Sequence, residues 1–284
     1  MIRASAVVRA SAVVRLLLVL CVSALAGGCI TAITTLKIRP DGSGTIEQSM
    51  SMTAAAAEQL AQMTKGFSDA TASGASTGAP ELFSEKEMQE AASKFGEGVL
   101  FMSSRPIKTA DRVGRVAVYQ FTDITKVRLN QKPPTGGIAA GAVARPGAKA
   151  EDVLFRFAQR PTGTSVLTVV FPEQKLDDAV SKKDPGAAMP TMDAAKLEMA
   201  KKLFEGLKIE IDVDVLGSIV KTNSPYVQGS KVTLLEMDFN QLLANDQLLS
   251  QVTQPGSVEE AKKLLQGVKG FKVNLDREVA IEFR

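Results

Sequence analysis

Apolar and polar residues alternate along much of this chain, and a period of two marks strands with one buried face. In the most regular run, Leu207, Ile209, Ile211, Val213 and Val215 point one way while Lys208, Glu210, Asp212 and Asp214 point the other. This predicts an antiparallel strand with one dry and one wet face. Near the start, Leu36 and Ile38 alternate with Thr35, Lys37 and Arg39. Pro40 to Gly44 supplies turn residues, and Ile46, Gln48, Met50 and Met52 share a face of the return strand, which makes a hairpin. Val99 to Met102 reads as a buried strand, and Arg115 to Phe121 as another, ended by Asp123-Ile124. A second hairpin places Val153, Phe155 and Phe157 on one strand and Ser165, Leu167, Val169 and Phe171 on its return, around Pro161 to Thr164. Ile219 to Asn223 and Lys231 to Leu235 predict a third, around Ser224 to Gly229, with a bulge where the alternation slips near Leu235. Val279, Ile281 and Phe283 close the chain.

Helix signals lie between these strands. Thr53 can cap the run Ala54 to Met63, and Ser84 with Glu87 has capping-box spacing ahead of a helix through Phe95. Weaker helical signals follow Pro172 as far as Val180. A stronger one runs from Thr191 to Glu205, with Leu197, Ala200, Leu203 and Phe204 at helical spacing and Gly206 as C-cap. Asn240 to Gln251 and Ser257 to Leu265 complete the set. Two stretches, about 66–82 and 131–150, have the Ser, Thr, Ala, Gly and Pro content of flexible loops. The pattern as a whole predicts an α+β fold: an antiparallel β-sheet built from hairpins, with α-helices packed on it.

The first 28 residues stand apart. Arg3, Arg9 and Arg15 precede an apolar run, Leu16 to Ala26, shorter than the about 20 residues needed to span a bilayer as a helix. Positive charge, a short apolar core and small residues ahead of a cleavage point define an export signal. Leu25-Ala26-Gly27-Gly28-Cys29 resembles a bacterial lipobox, with cleavage between Gly28 and Cys29 and a diacylglyceryl group on the Cys29 thiol. The expected layout is therefore a lipoprotein signal peptide over 1–28 and one extracytoplasmic domain over 29–284. The destination is the bacterial cell envelope, and Ile30 after the cysteine favours the outer membrane in a two-membrane host.

Processing changes the charge balance. Three of the 34 basic residues and none of the 31 acidic ones precede Cys29, so the mature chain is formally neutral. It lacks the cationic surface on which nucleic-acid binding depends. Cys21 leaves with the signal and Cys29 is consumed by lipid, which excludes a disulfide and a cysteine nucleophile. The absence of histidine removes Ser-His-Asp chemistry and the common zinc sites.

Three fragments of chemistry remain. Ser218 and Lys221 have Ser-x-x-Lys spacing without the partner motifs of serine-lysine acylases. Glu210, Asp212 and Asp214 form a carboxylate row that could hold a cation, although the solvated face of a strand explains the same spacing. The Gly42-Ser43-Gly44 and Gly136-Gly137 turns lack the lysine and strand-to-helix setting of a phosphate loop. The expectation is a non-catalytic membrane-anchored binding or scaffold module with neither metal nor cofactor. Its partner would be a lipid, held in an apolar groove to which Met50 and Met52 could contribute, or an envelope protein. The competing reading is an extracytoplasmic hydrolase using carboxylates or the Ser-Lys pair.

A lipobox cysteine followed by a strand, the turn Asp41 to Thr45, a second strand and an alanine-rich helix is similar to the start of the LppM-type domain of bacterial lipoproteins. Ile219 to Asn223 followed by Gly229 to Thr233 resembles that family's last hairpin, without its tryptophan. The resemblance implies a membrane-associated α+β module, with lipid or glycolipid as a suggested ligand.

Overall fold

The computed structural model describes residues 30–58, 61, 83–130, 152–172, 205–244, 264, 267–274 and 276–284. Several expectations lie outside them: the signal and Cys29, both loop stretches, the helices placed between 173 and 204, and most of those placed after 244.

Within the described residues the chain is dominated by strands. These are β1 (Ile30–Ile38), β2 (Gly44–Thr53), β3 (Leu100–Lys108), β4 (Arg112–Phe121), β5 (Arg128–Asn130), β6 (Asp152–Gln159) and β7 (Ser165–Val170). They continue with β8 (Lys208–Val215), β9 (Ile219–Thr222), β10 (Val227–Gln228), β11 (Lys231–Asp238), β12 (Phe271–Val273) and β13 (Glu278–Phe283). Helical residues among those described include 54–58 and 61, α1 (Glu85–Ala91) and α2 (Phe239–Leu243), with 3-10 turns at Ala92–Phe95 and Ile124–Lys126. The α+β expectation holds in outline, with far more strand than helix.

The strands form two sheets. The larger has eight strands in the order β10-β11-β8-β1-β2-β4-β3, with β12 beside β11; the smaller has five in the order β5-β6-β7-β13-β9. β1 lies inside the larger sheet, antiparallel to β2 over Ile30–Ile38 and parallel to β8 over Thr31–Ile38. The alternating run at 207–215 is thus antiparallel to β11 but parallel to β1, and the sheet is mixed. One hydrophobic core joins the two sheets, with Leu36, Ile46, Tyr119, Phe121 and Val213 from the larger and Val153, Phe155, Leu167, Ile281 and Phe283 from the smaller. Burying an aliphatic or aromatic side chain of this kind contributes about 1.5–3 kcal/mol, so this shared layer is what holds the sheets together. The turn after β1 meets the second sheet at Gly42, whose φ of 84° suits glycine. The ring of Phe157 lies 2.9 Å from where a Cβ would project.

Local signals are realised as read. The Ala56 amide donates to Thr53 Oγ1 at 3.3 Å, and Ser84 and Glu87 close a full capping box. The predicted bulge lies between Thr233 and Leu235. Its cause is remote in sequence: buried Asn274 donates through Nδ2 to the Thr233 and Leu234 carbonyls at 3.1 and 2.8 Å.

Two strand expectations change. Of the stretch Val99 to Met102, Val99 is buried just ahead of the strand, but Leu100 to Met102 opens an edge strand instead of a buried one, with Leu100 64% and Met102 54% exposed. The bulge between Phe101 and Ser103, together with Arg105, Pro106 and Lys108, blunts this edge against pairing with another chain. The hairpin expected between Ile219–Asn223 and Lys231–Leu235 does not form, because β9 pairs β13 in the smaller sheet while β11 pairs β10 and β8 in the larger. Asn223 fixes that choice, accepting from the Ala280 amide at 2.8 Å and donating to the Glu278 carbonyl at 2.9 Å.

Tyr119 ties α1 to the sheet: its hydroxyl donates to the Met88 carbonyl at 2.9 Å, and its ring packs 4.8 Å from that of Phe95. Burial pushes the phenol pKa up to about 12, so it stays a donor. Tyr119→Phe leaves a buried carbonyl without its partner and is expected to cost about 1–2 kcal/mol in urea denaturation. A loss confined to the region of α1 would be seen as faster hydrogen exchange there.

Candidate functional site

The expected cleavage residues Gly28 and Cys29 lie outside the described residues, yet their neighbour is placed. β1 begins at Ile30, directly after Cys29, and not after the link of about five residues that the alternation at Thr35–Ile38 implies. The polar start of β1, Thr31 to Thr35, hides this early onset because both edges of the strand are paired regardless of side-chain pattern. Arg112 of β4 clamps the beginning of β1. Its Nη2 donates to Thr31 Oγ1 at 2.7 Å and to the Ser51 carbonyl at 3.3 Å, while Nε donates to Ser51 Oγ at 3.1 Å. One guanidinium therefore reaches over β2 to the second residue of β1. Nothing in the spacing of Arg112, Ser51 and Thr31 announces this contact; the strand register creates it.

The carboxylate row is not a solvated face. Along β8, β11 and β12 the side chains form an alternating series in which Lys272 pairs with Glu236 at 2.8 Å, and Glu236 with Lys208 at 3.7 Å. Lys208 pairs with Glu210 at 2.9 Å, Glu210 with Lys231 at 3.0 Å, and Lys231 with Asp212 at 2.7 Å. Asp212 is wholly buried, and the Lys231 ammonium 2.7 Å away is the main group compensating its charge, with the Thr233 hydroxyl acting in the same sense. Asp214 instead accepts from Ser230 Oγ at 2.7 Å.

Protonation follows from this geometry. Burial raises the Glu210 pKa, but hydrogen bonds from Lys208 and Lys231 outweigh it and hold the carboxyl down to about 2. Asp212 moves up, through burial first and the adjacent Glu210 next, against the pull of Lys231. Burial depresses Lys208 and Lys231, but their carboxylate partners win and keep both ammonium groups protonated. Charged lysines of this kind are neither nucleophiles nor bases. They occupy the positions a cation would take, and among the described residues no cluster of three or more metal-ligating side chains occurs.

The other candidates resolve as structure. Ser218 precedes β9 and exchanges backbone hydrogen bonds with Arg284 at 2.8 and 3.1 Å, and Lys221 lies opposite Glu282, past a bulge in β9 that brings both residues to one face. Among the described residues no hydrogen bond joins their two side chains. Met50 and Met52 are 2% and 7% exposed and belong to the core, not to a groove. A shallow depression of about 770 Å³ lies beside α1, lined by Gln89, Glu90, Ser93, Glu97 and Val99 among others. It is broadly open to solvent.

No family model and no curated protein matches the chain. Among solved structures, the NMR structure of the Mycobacterium tuberculosis LppM folded domain is similar over 91% of each chain, with 11% identity and a TM-score of 0.33. So distant a likeness carries no inference about ligand or partner.

Replacing Lys231 by Met strands the buried Asp212 and is expected to cost about 3 kcal/mol at pH 7. The same change at Lys37, whose partner Glu47 is 36% exposed and keeps its hydration, is expected to cost less than about 1 kcal/mol. Urea denaturation of both variants decides whether the buried series behaves as described. The lowered Glu210 pKa adds stability that is present above its ordinary value of 4.5 and lost as pH falls through about 2. Stability of Glu210→Gln should therefore fall less steeply over that window in an acid titration followed by circular dichroism.

Proposed function

We propose that this protein is a lipid-anchored envelope module without catalytic activity, held at a bacterial membrane surface through diacylglyceryl-Cys29 and acting as a scaffold or binding domain. The observation that carries the reading is the start of β1 at Ile30, an interior strand of the larger sheet. An anchor on Cys29 attaches to the sheet itself, with no spacer for the domain to roam on. The filled layer between the sheets favours a scaffold for envelope proteins over a carrier that swallows an acyl chain. The hydrolase alternative has no assembled catalytic group among the described residues.

Cys29→Ser in the full chain should move the protein out of the membrane fraction and abolish metabolic labelling by a radioactive fatty acid. Retention in the membrane without label would overturn the anchor.

A further inference from the structure

We infer that the domain sits on its membrane in one fixed orientation, with the sheet end formed by Ile30, Thr53 and the β3–β4 turn (108–112) against the phospholipid headgroups. The inference rests on the lipid anchor proposed for Cys29 and adds which surface meets the bilayer. Three observations support it. Cys29 directly precedes Ile30, so an acylated Cys29 brings the start of β1 within one residue of the membrane. Ile30 pairs with Met52, Thr31 with Ser51, and Thr53 with Arg112, so the end of β2 and the β3–β4 turn lie at that same end. Arg112, bonded to Thr31 and Ser51, keeps the first turn of the pleat closed and prevents β1 from unzipping into a tether.

The opposite end is equally well defined. β1 has nine residues, and at about 3.4 Å per residue its far end lies about 30 Å away. There the Pro40 carbonyl accepts from Gln159 Nε2 at 3.0 Å and Ser165 Oγ at 2.6 Å, placing the turn between β6 and β7 at the distal end. Charge does not choose the orientation, because the proximal end mixes Lys108, Arg112 and Lys208 with Asp111 and Asp238. The covalent geometry chooses it, and lipid headgroup charge should have little influence.

The mature chain has no free thiol once Cys29 is acylated, so an introduced cysteine is unique. Ala110→Cys and Thr162→Cys, both at exposed turn positions, are to be labelled with a small fluorophore in the acylated full-length protein. The labelled proteins are then reconstituted into phosphatidylcholine vesicles carrying headgroup spin labels. Strong loss of fluorescence at 110 and none beyond the unlabelled-vesicle control at 162 is the expected result, unchanged when a fifth of the lipid is phosphatidylglycerol. Equal quenching at both positions, or stronger quenching at 162, would overturn the fixed orientation while leaving the anchor intact. So would a contrast that appears only with the anionic lipid. Failure of the anchor itself shows separately, as membrane retention of the Cys29→Ser chain.

Discussion

Everything else in the fold depends on β1 being paired along both edges. Its antiparallel partner β2 follows at once through a five-residue turn, a pairing any hairpin can make. Its parallel partner β8 begins at Lys208, and parallel neighbours require a crossover. Here the crossover carries β3 to β7, so the smaller sheet is delivered by the same connection that brings β8 back to β1. β9 and β13 then complete that smaller sheet from the far end of the chain, and the common core forms only when all these returns are made.

The second constraint is electrostatic. A sheet face that mixes lysines and carboxylates avoids paying full desolvation because each buried charge has an opposite neighbour, and the series from Lys272 to Asp212 supplies one at every step. Replacing Lys231 leaves the buried Asp212 uncompensated, whereas at the half-exposed Lys37–Glu47 pair the same change leaves both groups within reach of water. The series joins β8 to β11 and β11 to β12.

What was legible in the sequence was local. The β1–β2 and β6–β7 hairpins could be read because both strands and their turn lie within a few residues, and the Ser84–Glu87 box because capping is set within one helical turn. What was not legible was decided by distant partners. Leu100 and Met102 look like core residues until β3 is found on an edge. Glu210 and Asp212 look solvated until Lys231 arrives from β11. The Ile219 and Lys231 strands look like a hairpin until Asn223 commits the first to β13. At the N-terminal side the start of β1 at Ile30 was not readable, because Thr31 to Thr35 gives no alternating signal.

The central claim is that the ordered sheet starts at the residue after the anchor. Hydrogen exchange of the acylated protein, resolved to single amides by NMR in small bicelles or by mass spectrometry with fine fragmentation, reads this directly. Amides of Thr31 to Ile38 should fall in the most protected class, with protection beginning in the first three residues of β1. Exchange of residues 31–34 at the rate of a free peptide would mean that a flexible tether precedes the fold, and would contradict the account.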